Sequence, residues 1–441
     1  MNGAALSVQA GVREPSLTVR GGRRLCGTVT VDGSKNAALP MLAAAAVFGA
    51  PVAVAGVPAC TDVDVLLDLL AGCGAAVSRC ADRGAVRIEA VQATGRQSDV
   101  TMAAAAIRGS YYLVPALIAA HGQAVLPWPG GCAVGYRGME LHFAVYSAFG
   151  DKVIVHGDGY TVRRGRSPSH TVQVELPYRS RGATVAALLR ALVAGCSVAI
   201  GNPNLSVEVH ALCAALTAAG CQLSVETHRM LLKPTRVRSG ARWRVPGDKI
   251  EAGVLVCAIA ATGGHGRVGG VAFADLAPLA DALVPLGFTV IPDGDTGVLV
   301  AGPKGRTGSG VLALASLAPG GLDADWEPGL MAVALGRPGA HRFADAINPA
   351  RHGNLIGQLR RLGAVVTETS TTEAHLTGPQ SLTGATVRAT DIRTGSALLI
   401  AALTAAGTTG LTGLSQLRRG YADLPAKMRA LGADIDVPEP A

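Results

Sequence analysis

The stretch DVLLDLLAGCGAAVSR, residues 64–79, reads as an apolar helical pattern that stops at a small glycine turn and passes into a strand. The same pattern returns in LHFAVYSAFGDKVIVH (141–156), VHALCAALTAAGCQLSV (209–225), LADALVPLGFTVIP (279–292), LIGQLRRLGAVVTE (355–368) and LPAKMRALGADIDV (424–437). The turn glycines Gly74, Gly150, Gly220, Gly287, Gly363 and Gly432 recur about every 70 residues, a spacing that marks an architecture of repeated units.

Each of these stretches is preceded by a helix of a different kind. AALPMLAAAAVFGAPVAVAGV (37–57), GSYYLVPALIAAHGQAVLPW (109–128), TVAALLRALVAGCSVAIG (184–201), EAGVLVCAIAATGGHGRVGGV (251–271), EPGLMAVALGRPGAHRFADA (327–346) and GSALLIAALTAAGTTGLTGL (395–414) are apolar on every face before a short strand follows. A helix apolar all round belongs in a core, whereas an amphipathic one shows a face to water. Each unit is therefore expected to run strand, buried helix, strand, exposed helix, strand, strand. Six such units divide into two sets of three, giving two similar α/β domains with a cleft between them and a crossover near RWRVPGDKIEAG (242–253).

Composition agrees with a large layered core. The chain has 441 residues, 49% of them hydrophobic, but aromatics make up only 4% and glycine numbers 57, so the interior must be built from Ala, Val and Leu at close range. The Ala37–Cys60 stretch is long enough to raise a membrane span, yet Gly49 and Pro51 interrupt it, and a core helix followed by a strand explains it better. Neither a membrane nor a secretory leader is expected, and the chain is read as cytoplasmic. The nine cysteines include no C-x-x-C pair and form neither a disulfide framework nor a structural zinc site. A net charge of +8 calls for anionic partners, but no run of basic residues with aromatics beside it points to nucleic acid.

GHGRVG (264–269) satisfies G-x-G-x-x-G but follows a helix and leads into a strand, the reverse of a dinucleotide fold. No P-loop, H-E-x-x-H or G-x-S-x-G motif is present. What remains is a set of charged residues in loops, several of them just before a buried helix, where free backbone N–H groups and the helix dipole favour an anion. These are Lys35 and Asn36 in VDGSKNAALP, Arg108 in AAIRGSYY, Arg137, Asp325 in GLDADWEP, Asp391 and Arg393 in RATDIRTGSA, and Arg419 in LRRGYADL. Cys132 stands apart from the other thiols, framed by glycines in PGGCAVGYR.

DGSKNAALPMLAAA (32–45), PGGCAVGYR (129–137), ATDIRTGSALLIA (389–401) and RGYADLPAKMRALGADI (419–435), in that order, resemble the enolpyruvyl transferases, in particular the UDP-N-acetylglucosamine 1-carboxyvinyltransferase branch. The resemblance implies an inside-out α/β barrel of two domains with three repeats each. Residues 35–247 would form one domain, residues 1–34 and 248–441 the other, with the active site between them. It implies phosphoenolpyruvate as donor, a uridine nucleotide as acceptor, and no metal or organic cofactor. By the same resemblance Cys132 would protonate or covalently trap phosphoenolpyruvate and Asp325 would be the base for the acceptor hydroxyl. Lys35, Arg108, Arg137, Arg393 and Arg419 would bind phosphate and carboxylate, Asn36 would contact the acceptor, and Asp391 would lie near the reacting carbon. Arg351 stands at the expected distance after Asp325, but NPARHGN departs from the usual ENRF, which leaves His352 as the alternative.

Other departures fall on the acceptor side: PACTDVD (58–64) lacks the usual lysine, Arg181 replaces a valine in YRSRGAT (178–184), and NPNLSVEV (202–209) replaces an acidic EPE segment. Arg179 and Arg181 suit a terminal phosphate monoester, so UMP, as in nucleoside-antibiotic pathways, competes with UDP-N-acetylglucosamine as acceptor. Shikimate 3-phosphate and a non-catalytic nucleotide-binding paralogue remain as further alternatives.

Overall fold

The computed structural model describes residues 16–80, 84–92, 103–131, 138–166, 168, 170–234, 240–302, 313–315, 321–345 and 352–437. The fold is mixed α/β. Its strands form six separate small sheets, five of four strands and one of three, among the described residues.

The uniformly apolar stretches fold as buried helices. In Lys35–Val47 every residue from Ala37 to Ala46 is buried, and in Lys249–Ala261 every residue from Ile250 to Ala260. The helices Lys35–Val47, Leu113–His121 and Arg181–Ala194 pack on one another in the first half of the chain. Lys249–Ala261, Glu327–Leu335 and Ile392–Thr404 do the same in the second. Alanine and glycine allow the close approach; a Cβ on Gly329 would touch the Cys257 Sγ at 3.4 Å. Fully burying each Leu, Ile or Met among them contributes roughly 1.5–3 kcal/mol.

The amphipathic stretches lie outside these triplets. His352–Arg361 is representative: His352, Leu355, Ile356 and Leu359 are buried, and Arg360 and Arg361 close its last turn. All six turn glycines take left-handed φ values between +80° and +97°, which accounts for glycine at each turn.

Two hydrophobic cores result. One gathers buried residues from 37–245, the other from 17–31 together with 250–435. The N-terminal strands explain the second grouping: Leu17–Arg20 pairs with Thr408–Thr412, and Cys26–Thr30 runs parallel to His265–Gly269. Ala241–Arg244 returns to pair in parallel with Val52–Ala55.

The chain therefore crosses between the cores twice, and the crossings touch. Gly33 and Gly247 form an antiparallel bridge, flanked by Ser34 N–H to Pro246 C=O at 2.8 Å and Asp248 N–H to Asp32 C=O at 2.8 Å. Each crossing leads straight into a buried helix, Lys35–Val47 or Lys249–Ala261, so the starts of both helices meet at one place.

Candidate functional site

Charged side chains from both halves converge around the crossings. Lys35 opens its helix, gives its backbone N–H to Asp248 Oδ2 at 3.3 Å and directs Nζ to Asp62 Oδ2 at 3.3 Å. Asp62, buried in the first turn of Thr61–Gly72, accepts at its other oxygen from Arg419 Nε at 3.0 Å. Arg419 comes from the C-terminal half, just after the short helix Leu414–Arg418, so one carboxylate ties two candidate cations of opposite halves together. Asn36 is the second residue of the Lys35 helix and half-buried. Pro40, four residues on, has no N–H to give to the Asn36 carbonyl.

Asp325 and Arg393 form an ion pair in the second half. Asp391 precedes the helix Ile392–Thr404 as its cap: Oδ1 accepts the N–H groups of Arg393 and Thr394 at 2.9 and 3.1 Å, and Oδ2 accepts the Thr394 hydroxyl at 2.6 Å. It is buried, and its contacts hold the Arg393 backbone in register.

Arg108 begins a short 3-10 helix, Arg108–Tyr112, donates to the Gly138 carbonyl at 3.4 Å and lies 5.8 Å from the Tyr111 ring centroid. Tyr111 packs its ring, tilted by 54°, against His142, a buried imidazole that burial, aided by Arg108, pushes down to about 3 and so keeps neutral. His142 packs against the start of the Arg181 helix, where a Cβ on Gly182 would come within 2.5 Å of its Nε2. Arg181 opens that helix, capped by Ser180, and its guanidinium is 3.7 Å from the buried Glu208. Burial disfavours both charges, but each offsets that cost for the other, raising Arg181 and lowering Glu208 from their ordinary values. Arg179 instead donates to the Thr227 carbonyl at 2.7 Å.

Cys132, Arg137 and Arg351 lie outside the described residues. His352 is described: it is buried, with Nε2 3.0 Å from Glu327 Oε1, two residues beyond Asp325. Among the described residues no group of three or more His, Cys, Asp or Glu is placed to hold a metal ion.

Sequence pattern alone does not single out Asp62, Glu208, Lys249 or Asp323, yet all four are built into this cluster. Lys249 Nζ is 3.0 Å from Asp323 Oδ2, and Glu208 acts on Lys249 from the other half. The signal was available: VPGDKI (245–250) echoes VDGSKN (31–36) and puts Lys249 in the place of Lys35. Glu208 belongs to SVEV, inside the segment that departs from the family pattern.

The chain is similar to known proteins over nearly its whole length. A family profile described as EPSP synthase (3-phosphoshikimate 1-carboxyvinyltransferase) matches residues 19–428. UDP-N-acetylglucosamine 1-carboxyvinyltransferase 2 of Mesorhizobium japonicum is 32% identical over 424 residues, covering 95% of this chain and 98% of that protein. UDP-N-acetylglucosamine 1-carboxyvinyltransferase of Novosphingobium aromaticivorans is 32% identical over 431 residues, with 95% and 98% covered. Among solved structures, the enolpyruvyl transferase NikO of Streptomyces tendae superposes with a TM-score of 0.82 at 25% identity, covering 96% of this chain and 98% of that one. EPSP synthase from Acinetobacter baumannii shares the fold, with a TM-score of 0.70 at 17% identity and coverage of 96% and 100%. With this extent of match, the chain belongs to the EPSP synthase family of enolpyruvyl transferases.

Proposed function

We propose that this protein transfers the enolpyruvyl group of phosphoenolpyruvate to a hydroxyl of a uridine nucleotide and releases phosphate, in the manner of its UDP-N-acetylglucosamine 1-carboxyvinyltransferase relatives. The observation that carries the reading is the junction of Lys35 and Arg419 on Asp62, two cations from opposite halves held within reach of one anion. The two cores are the two domains, 35–247 and 1–34 with 248–441, each a set of three repeats of an inside-out barrel.

Phosphoenolpyruvate brings a phosphate and a carboxylate, which Lys35, Arg419, Arg393, Arg108 and Arg137 neutralise. Addition needs a proton delivered to the methylene carbon and a proton removed from the acceptor hydroxyl. Cys132 supplies the first, on a glycine-framed segment, and Asp325 takes the second. The C–O bond forms at C2, giving a ketal that carries methyl, carboxylate and phosphate. Loss of a methyl proton and of phosphate then restores the alkene. Fixed cations stabilise the negative charge throughout, the largest contribution such a site makes. Arg351 or His352 completes the lining beside Asp325, and Asn36 meets the acceptor.

Arg181 favours a second reading of the acceptor. A guanidinium at a helix start, held charged by Glu208, suits the terminal phosphate of UMP as well as a diphosphate. The test is phosphate release from phosphoenolpyruvate with UDP-N-acetylglucosamine, UMP and shikimate 3-phosphate supplied separately. Release with the nucleotide sugar alone supports the main reading, and release with UMP alone supports the second. Release with shikimate 3-phosphate alone refutes both, and silence with all three leaves a non-catalytic paralogue.

A further inference from the structure

We infer that Lys249 and Asp323 are positioning residues for Asp325, holding its loop against the start of the Lys249 helix. The inference rests on the reading of Asp325 as the acceptor base and adds how that base is kept in place.

Asp323 is bound on both sides of its carboxylate. Oδ2 is 3.0 Å from Lys249 Nζ, and Oδ1 accepts the backbone N–H of Asp325 at 3.0 Å. The turn is closed by Trp326 N–H to the Asp323 carbonyl at 3.0 Å, after which the chain enters the helix Glu327–Leu335. Trp326 pins the far end: its indole N–H donates to the Lys249 carbonyl at 3.1 Å, and the Lys249 ammonium lies 5.5 Å from its ring centroid. Gly253 makes the indole's approach possible, since a Cβ there would stand 2.2 Å from Trp326 Nε1. The loop bearing Asp325 is thus fixed to one residue, Lys249, through side chain, ring face and carbonyl.

Charge gives the arrangement a second purpose. Two carboxylates two residues apart repel, and an uncompensated Asp323 would disfavour the orientation of Asp325 that Arg393 holds. Lys249 cancels that charge. Burial works against the Lys249 ammonium, but Asp323 and Glu208 outweigh it and keep the group charged. A base must be held to within a fraction of an ångström of its proton, so loosening this loop should slow the chemistry more than it weakens binding.

The test uses the full-length protein and three variants, Asp323→Ala, Asp323→Asn and Lys249→Met. Hydrogen exchange of the 321–327 segment, which needs no substrate, should quicken about tenfold in Asp323→Ala and in Lys249→Met, and less in Asp323→Asn, whose amide oxygen still accepts from Asp325. In phosphate-release assays kcat should fall roughly 10- to 100-fold in Asp323→Ala with KM for phosphoenolpyruvate moved less than about threefold. Asparagine should restore most of the loss. Wild-type exchange in both Asp323→Ala and Lys249→Met, or a kcat in Asp323→Ala equal to wild type, overturns the inference. A wild-type protein silent with every acceptor refutes the transferase reading instead, and the exchange measurement still decides whether the pair holds the loop.

Discussion

At residues 31–36 the chain reads VDGSKN and at 245–250 VPGDKI, and at both places it crosses between the two cores and starts a buried helix. The backbone frames match: a Cβ on Gly33 would stand 1.8 Å from the Gly56 carbonyl, and one on Gly247 would stand 1.8 Å from that of Gly270. Both lysines pair with an aspartate. The helix starts are finished differently. Asp248 caps its helix through the N–H groups of Ile250 and Glu251, and Glu251 adds an acid to the first turn. Ser34 makes no such bond, its buried hydroxyl has no hydrogen-bond partner, and the first turn after it contains no acid. One helix start carries its own acids; the other has none and borrows the Asp248 carboxylate through the Lys35 N–H at 3.3 Å.

The largest test of this contrast is functional. Lys35→Met should lower kcat/KM for phosphoenolpyruvate about 10²- to 10³-fold, as removing a group that stabilises transition-state charge does. Lys249→Met, acting through Asp323, should lower it about tenfold. Phosphate-release kinetics on both variants compare them directly, and equal losses would break the distinction between a helix start with acids of its own and one without.

Next in size is a test of what the crossings share. Gly33→Ala and Gly247→Ala each force a methyl group onto a backbone carbonyl, and each should destabilise the fold by about 1–3 kcal/mol in urea unfolding. Effects of similar size sharpen the comparison; a neutral change at either glycine would show that the two frames are not equivalent.

The cap residues come third. Asp248→Ala removes the acceptor of three backbone N–H groups, including that of Lys35, and should cost about 1–2 kcal/mol. Ser34→Ala removes a hydroxyl with no partner and should cost less than about 0.5 kcal/mol. Chemical denaturation of the pair reads the difference, and a Ser34→Ala loss as large as that of Asp248→Ala would contradict a Ser34 hydroxyl that takes no part in the cap.

The contrast also shows what the sequence could reveal. Periodicity exposed the buried and amphipathic helices, because a dry face excludes unpaired charge: Ala37–Ala46 and Ala252–Ala260 lie in the core for the reason their composition suggests. Lys35, Arg419, Asp325 and Arg393 were legible as loop charges next to such helices. Their counter-ions were not. Asp62 and Arg419 are 357 positions apart, and Lys249 and Asp323 are far apart too, so only the folded chain reveals which charge meets which. Asp391 shows the reverse limit, a residue type suited to a site whose carboxylate caps its own helix.

The smallest effect expected is a pH dependence. Burial pushes Asp248 up to about 6, against the backbone N–H groups of Ile250 and Glu251, and pushes Glu251 up to about 7 despite the Lys427 ammonium beside it. A carboxyl raised above its ordinary value binds its proton more tightly in the folded chain. The stability it contributes is therefore complete only below the ordinary carboxyl values of 3.8 and 4.5, and is lost as the pH climbs from there through 6 for Asp248 and through 7 for Glu251. Asp248→Asn keeps a side-chain acceptor at the cap but cannot titrate. Its stability relative to wild type should therefore shift in favour of asparagine as the pH rises from 4 to 7, read as the difference in urea midpoints at pH 4.5, 5.5 and 7. The matching change at the other crossing, Ser34→Ala, introduces and removes no titrating group, so its difference from wild type should stay flat over the same range. A flat Asp248→Asn difference would mean that the backbone N–H groups outweigh burial and that the cap is charged throughout. The Lys249 helix start would then hold a permanent anion, shared with the Lys35 N–H of the other crossing.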